Sequence, residues 1–229
     1  MDLVFYTYFY GNNNNPAFKI PPIPSTLHKC YYYTNNKDML EKIKKTSWIG
    51  IYDDKPESSI SNDYNISNMQ GKHNKTSPHE YPELREHAYV CYLDSKLPKV
   101  NTDTIYSLID TYFVKHNYAL LTRKHWFVHN NVWNEFNESM KQPRYRLESD
   151  RYKTYINTQI KNGLSDTIPN HAACGFLIRN MKHESINNIN NTWYTHIQHC
   201  GVQDQISFFF VQQLFPNYIL TFTEYPYVT

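Results

Sequence analysis

Short runs of β-branched, aromatic and other apolar residues recur along the whole chain, and segments of helical period separate them. The runs are Leu3–Tyr10, Cys30–Thr34, Trp48–Tyr52, Ala88–Leu93, Tyr118–Thr122, Gly175–Arg179 and Tyr218–Phe222, each of strand length. Between them, Ile105, Leu108, Ile109, Tyr112 and Phe113 form an apolar stripe at spacings of three and four. Tyr152, Tyr155, Ile156 and Ile160 form a second stripe, closed by Gly163 as a C-cap. Helices are also expected over Lys37–Lys45, Asn131–Met140, Ser185–Gln198 and Gln203–Leu214. Strands that alternate with helices imply an α/β fold: a mostly parallel central sheet with helices on both faces. In such a sheet ligands sit beyond the carboxyl ends of the strands. At 229 residues the chain fits one such domain.

The remaining composition narrows the function classes. The 23 basic and 21 acidic residues are scattered and leave a formal charge of +2, so no basic arm or stripe argues for nucleic acid. Cys30, Cys91, Cys174 and Cys200 are far apart without metal-type spacing and read as reduced, buried thiols. The opening MDLVFYTYFYG lacks a charged leader and a cleavage site, and no apolar stretch approaches the ~20 residues that span a bilayer. A cytoplasmic location without a membrane span is therefore expected. Asn12–Pro24 and Asp53–Asn74 read as surface loops.

Three constellations can carry chemistry. Tyr89-Val-Cys-Tyr-Leu-Asp94-Ser95-Lys96 is a strand that ends in a carboxylate, a place suited to a ribose hydroxyl or to a cation on a diphosphate. A second acid would complete a metal-holding pair, but Lys96 stands there, so both Mn²⁺ or Mg²⁺ at Asp94 and a metal-free site stay open. Asp94 serves equally well as a turn former. Gly201-Val-Gln-Asp204-Gln205 opens an aromatic segment of helical length. Asp204 is there either a helix N-terminal acid or a proton acceptor, with Gln205 bonding a sugar. Lys72-His-Asn-Lys75-Thr-Ser-Pro78-His79 reads as a loop entering a helix near Glu80, where ammonium groups and free N–H groups suit a diphosphate. Arg123-Lys-His125-Trp126 and Arg179 end two other strands and can face the same crevice.

Taken in order, these segments resemble a family of small glycosyltransferase-like proteins with the GT-A fold, found in bacterial polysaccharide clusters, plant mucilage biosynthesis and large DNA viruses. Phe5-Tyr-Thr7-Tyr-Phe9-Tyr10-Gly11 looks like its opening strand and glycine turn, and Cys30-Tyr-Tyr-Tyr-Thr-Asn-Asn36 is similar to its second strand. Lys72, Lys75, Pro78 and His79 match its basic-x-x-Lys-x-x-Pro-His stretch, and Asp204-Gln205-x-Ser207-Phe208 its closing motif. His125, Glu135 and the His171-Ala-Ala-Cys-Gly175 turn leading to Arg179 fall at further matching places. His129-Asn130-Asn131 departs from the family's Arg-Asp-Cys, as Lys96 departs from a neutral residue.

The resemblance implies a single Rossmann-related GT-A-like domain over residues 1–229, with a nucleotide-binding half at 1–100 and an acceptor and catalytic half at 101–229. It implies a hexosyl or deoxyhexosyl transferase that uses a nucleotide-diphosphate sugar and a glycan or other hydroxyl acceptor, with inversion as the expected outcome. Thr7, Phe9, Tyr10, Gly11, Lys72, Lys75, His79, Asp94, Ser95 and Lys96 would bind the donor. Asp204 and Gln205 would be catalytic, and His125, Glu135, His171 and Arg179 would meet the acceptor or sugar. A viral source would place the protein in the host cytoplasm. The competing class is a non-catalytic carbohydrate-binding protein with a degenerate transferase fold, for which the 16% aromatic content supplies stacking surfaces.

Overall fold

The computed structural model describes residues 1–11, 18–54, 64–128 and 130–228, so His129 and parts of both loops at 12–24 and 53–74 lie outside the described residues. The strand runs become β1 (Leu3–Tyr8), β2 (Cys30–Thr34), β3 (Ile49–Tyr52), β4 (Tyr89–Leu93), β5 (Leu120–Lys124), β6 (Ala172–Asn180) and β7 (Ile219–Phe222). They form a seven-stranded sheet in the order β3-β2-β1-β4-β6-β5-β7. The pairs β3–β2, β2–β1, β1–β4 and β5–β7 are parallel, whereas β6 runs antiparallel to both β4 and β5.

The central strands β1, β4 and β6 are mostly apolar and buried at nearly every position because both faces are covered. On one face Val4, Tyr6, Val90, Tyr92 and Leu177 pack with Trp193 and Phe208. On the other, Leu3, Phe5, Tyr32, Cys91, Leu93 and Ile178 pack with Ile105 and Ile109. All four cysteines are free and buried.

The helices are α1 (Lys37–Ile43), α2 (Tyr64–Thr76), α3 (Pro82–Arg85), α4 (Thr102–Leu108), α5 (Val132–Ser139), α6 (Pro143–Arg146), α7 (Ser149–Lys161), α8 (Ile186–Cys200) and α9 (Asp204–Leu214), with α4 running on into a π-helical stretch, Ile109–Lys115. Asparagine sets several starts: the side chains of Asn36, Asn101 and Asn131 accept from N–H groups in the first turns of α1, α4 and α5. Each such cap contributes about 1 kcal/mol. Gly163 closes α7 as expected: at φ +96° it donates to Ile160 O at 3.0 Å, while Leu164 N–H reaches Gln159 O at 3.1 Å.

Two readings are corrected. Residues 64–74, expected as part of a surface loop, belong to α2, and Ser67 and Asn74 are buried. Lys72 and Lys75 do not precede a helix N-terminus; they lie in the last turns of α2, and only a short 3₁₀ turn (Pro78–Glu80) and α3 follow. Asn, Ser and Gly make α2 a poor helix by propensity, and its packing on β1 and α8 overrides this. Gly71 permits that packing, since a Cβ there would come within 2.2 Å of the Tyr8 ring. Among the described residues no helix is long and apolar enough to cross a membrane.

Candidate active site

A cavity of about 610 Å³ opens where β1, β4 and β5 end. The chain leaving β1 supplies Tyr8, Phe9 and Tyr10, the turn after β4 supplies Asp94, Ser95 and Lys96, and the segment after β5 supplies His125 to Val128. From α2 come Lys72 and Lys75, from α5 Glu135 and Glu138, from α6 Arg144 and Tyr145, and from the start of α9 Asp204 and Gln205. Asp94 and Asp204, 110 positions apart in sequence, thus face one chamber.

The densest electrostatic feature is a buried trio. Lys72 Nζ lies 3.0 Å from Asp204 Oδ2, and Lys75 Nζ hydrogen-bonds the same oxygen. All three side chains are nearly inaccessible, at 9%, 3% and 7% exposure. Lys75 Nζ also sits 5.0 Å from the Tyr92 ring centroid and 5.9 Å from that of Trp193, which adds cation–π stabilisation. Burial opposes ionisation of Asp204, but the two ammonium groups outweigh it and hold the carboxyl well below the usual carboxylate range. Burial likewise opposes the charge on Lys72, and Asp204 raises its pKa on balance. Asp204, at the start of α9, is therefore an ion-paired carboxylate in the resting protein.

Arg179 holds this arrangement from behind. It is fully buried, donating to Asn190 Oδ1 at 2.9 Å, to the Tyr6 hydroxyl at 3.2 Å and to the Lys75 carbonyl at 2.9 Å. Tyr6 donates to the same carbonyl at 3.0 Å. Tyr6 and Arg179 thus satisfy a carbonyl at the C-terminal end of α2 and tie it to the sheet. Arg179 is a scaffold residue, which corrects its assignment to acceptor binding.

A second polar cluster lies beneath the far wall. Glu135, 3% exposed, accepts from His171 Nε2 at 2.9 Å, Gln203 Nε2 at 2.9 Å and Ser139 Oγ at 3.2 Å. Its lone pairs are largely committed, and its work is to anchor Gln203 beside Asp204. His171 is buried behind Glu135, away from the cavity wall. His125 accepts at Nδ1 from Val128 N–H at 3.0 Å, so its proton sits on Nε2. Burial pushes its pKa down to about 4, which leaves it neutral with one N–H to offer.

Other expected donor contacts also fail to reach the wall. Thr7 is fully buried within the sheet, Gly11 is engaged by Asn35 and Asn36, and His79 turns to Asn191 Oδ1 on α8 at 3.0 Å. Phe9, Tyr10, Lys72, Lys75, Asp94, Ser95, Lys96, His125, Glu135, Asp204 and Gln205 do line the cavity. Trp126, in the stretch expected to face the crevice, does line it, whereas sequence reasoning missed Phe127, Glu138, Gln142, Arg144 and Tyr145 as wall residues. Only Phe127, directly after His125-Trp126, offered a signal.

The donor set does not fit a divalent cation. Among the described residues no group of three His, Cys, Asp or Glu side chains converges. Asp94 stands as a single carboxylate bonded by the Tyr92 hydroxyl at 3.2 Å, with Lys96 Nζ 3.6 Å from its other oxygen.

A mostly parallel sheet with one antiparallel strand inside it, and a charged cavity beyond the strand ends, is the arrangement of a GT-A-like α/β domain. The family model of the TOD1/MUCI70 glycosyltransferase-like domain matches residues 34–223, and the chain belongs to that family. The fold is similar to that of mouse xyloside xylosyltransferase 1 in its apo form, with a TM-score of 0.53 and 9% identity over 97% of this chain and 85% of that one. A search of curated proteins finds no match.

Proposed function

We propose that the protein moves a hexose or deoxyhexose from a nucleoside-diphosphate sugar to a hydroxyl of a glycan or similar acceptor. The observation that carries this reading is the buried trio of Lys72, Lys75 and Asp204 in the same cavity as Asp94 and Lys96. Within the trio two ammonium groups face one carboxylate, an excess of one positive charge on side chains that are at most 9% exposed, while Asp94 and the exposed Lys96 add a pair with no net charge. A buried charge without a full counter-charge favours an anionic ligand, and a diphosphate supplies one.

In the reaction the acceptor oxygen bonds to the anomeric carbon. The bond from that carbon to the diphosphate oxygen breaks, and the nucleoside diphosphate leaves with the electron pair. Charge grows on the departing phosphate, where fixed ammonium groups lower the barrier most. Phe9, Tyr10 and Asp94–Lys96 in the first half of the chain would hold the nucleotide, while Asp204 and Gln205 approach from the second. Lys72 and Lys75, shared between Asp204 and the bound diphosphate, keep a positive field on Asp204 that weakens it as a base, so inversion through it is disfavoured. The acceptor proton passes instead to the departing phosphate oxygen, with retention of configuration. Lys96 and the α2 lysines take the part a divalent cation would have, so the reaction is metal-independent.

The test is incubation with UDP-, GDP- and dTDP-sugars, with Mn²⁺ or with EDTA, following nucleotide release, thermal stabilisation and, once an acceptor is found, the product anomer by NMR. At least one donor should stabilise the protein and be hydrolysed slowly in EDTA. Intact donors across the panel would leave a carbohydrate-binding protein, and failure of every nucleotide sugar to bind would remove the donor site.

A further inference from the structure

The sequence puts two large apolar rings, Trp126 and Phe127, in the stretch after β5, and the structure leaves them 60% and 51% exposed on the cavity wall. Exposed rings of this size lose the stabilisation of burial, so their rigid mounting is informative. Trp126 stacks on His125 with centroids 5.0 Å apart and planes 21° apart. His125 is fixed through its Nδ1 and stacks in turn on buried His171 at 5.5 Å. The Arg123 guanidinium lies 5.4 Å from the Trp126 centroid and 5.3 and 5.4 Å from the rings of Tyr225 and Tyr227. An imidazole pair and an arginine bridge to the C-terminal segment therefore fix an indole whose surface remains open.

We propose that Trp126, with Phe127 beside it, is the platform on which a pyranose ring of the acceptor stacks. This rests on the reading of the cavity as a sugar-transfer site. Topology separates the platform from the donor contacts. Phe9 and Tyr10 follow β1 and Asp94 follows β4, whereas Trp126 follows β5, beyond β6 in the sheet order and roughly 10 Å past β4 at ordinary strand spacing. The surrounding chemistry separates a sugar from an apolar protein partner. The two rings are tilted 63° to each other and so make no flat apolar face, and Glu138 and Gln142 line the same cavity. An aromatic plane in a cavity that also offers a carboxylate and an amide complements a pyranose, which has an apolar C–H face and a hydroxyl edge.

Trp126 also reports on itself, because Trp48 and Trp193 are buried and Trp133 is half-buried. Acrylamide quenching of the intrinsic fluorescence is measured with methyl pyranosides of glucose, galactose, xylose, fucose and N-acetylglucosamine. At least one sugar should protect the quenchable fraction. Trp126→Ala should raise the acceptor KM for that sugar about tenfold with a much smaller change in kcat, as expected for one lost stacking contact, and Trp126→Phe should restore part of it. Donor-induced thermal stabilisation without protection by any sugar overturns the platform and leaves the transferase reading intact. Protection without any donor binding overturns transfer and supports the platform alone. An acceptor KM unchanged in Trp126→Ala refutes the assignment.

Discussion

Replacing Asp204 by Asn keeps the shape of the side chain and removes one negative charge from the trio. Lys72 Nζ, 3.0 Å away, and Lys75 Nζ, in hydrogen-bond contact, then lose a counter-ion in a setting where none of the three side chains exceeds 9% exposure. Breaking a buried pair by removing one partner costs about 3–5 kcal/mol. For a domain of this size that lowers Tm by about 6–20 °C. The same change should help an anionic ligand, because the trio goes from one excess positive charge to two. One charge acting over ~5 Å at an effective dielectric of ~20 is worth up to about 3 kcal/mol, so a nucleoside diphosphate should bind the variant tenfold tighter or more. The sign of the pH effect follows from the depressed carboxyl pKa of Asp204. Its stabilisation is fully present above the unfolded value near 3.8 and is lost as pH falls further, so the gap between wild type and variant should narrow only below about pH 4. Differential scanning fluorimetry with and without UDP, from pH 3 to 8, reads all three effects. A variant within 2 °C of wild type at neutral pH, or one stabilised less by UDP, would refute the reasoning.

Two further outcomes are expected. Lys96→Asp sets a second carboxylate two residues after Asp94, and calorimetry should show saturable Mn²⁺ binding that the wild type lacks; equal binding by both proteins would contradict the part given to Lys96. His125, held down to about 4 by burial, stays neutral in the fold while the unfolded chain protonates near 6.5, so stability is lost as pH falls through that window. His125→Gln should flatten the slope between pH 6.5 and 4, and an unchanged slope would assign the pH dependence elsewhere.

The sheet was legible because its strands are short apolar runs bounded by turn residues, and Cys30–Thr34 was read to the residue. The helix carrying Lys72 and Lys75 was not legible, because local propensity there is poor and only contacts with β1 and α8 sustain it. The residue types of the site could be read, and Asp94, the two lysines and Asp204 do share a cavity. Their relation could not be read. The Lys75–Asp204 bond joins positions 129 apart, and nothing local in either segment says that each lysine will be spent on that carboxylate. Arg179 illustrates the same limit. A cation at the end of a strand looks like a ligand contact until the structure shows Tyr6, Asn190 and the Lys75 carbonyl using its donors.

A crystal structure of the protein grown with a nucleoside diphosphate bears most directly on the claim that the lysine-rich chamber is a donor site. The diphosphate oxygens should lie within hydrogen-bond reach of Lys72 and Lys75 Nζ, drawing one or both away from Asp204, with the ribose beside Asp94. A nucleotide bound elsewhere, with both lysines still closed on Asp204, would contradict it.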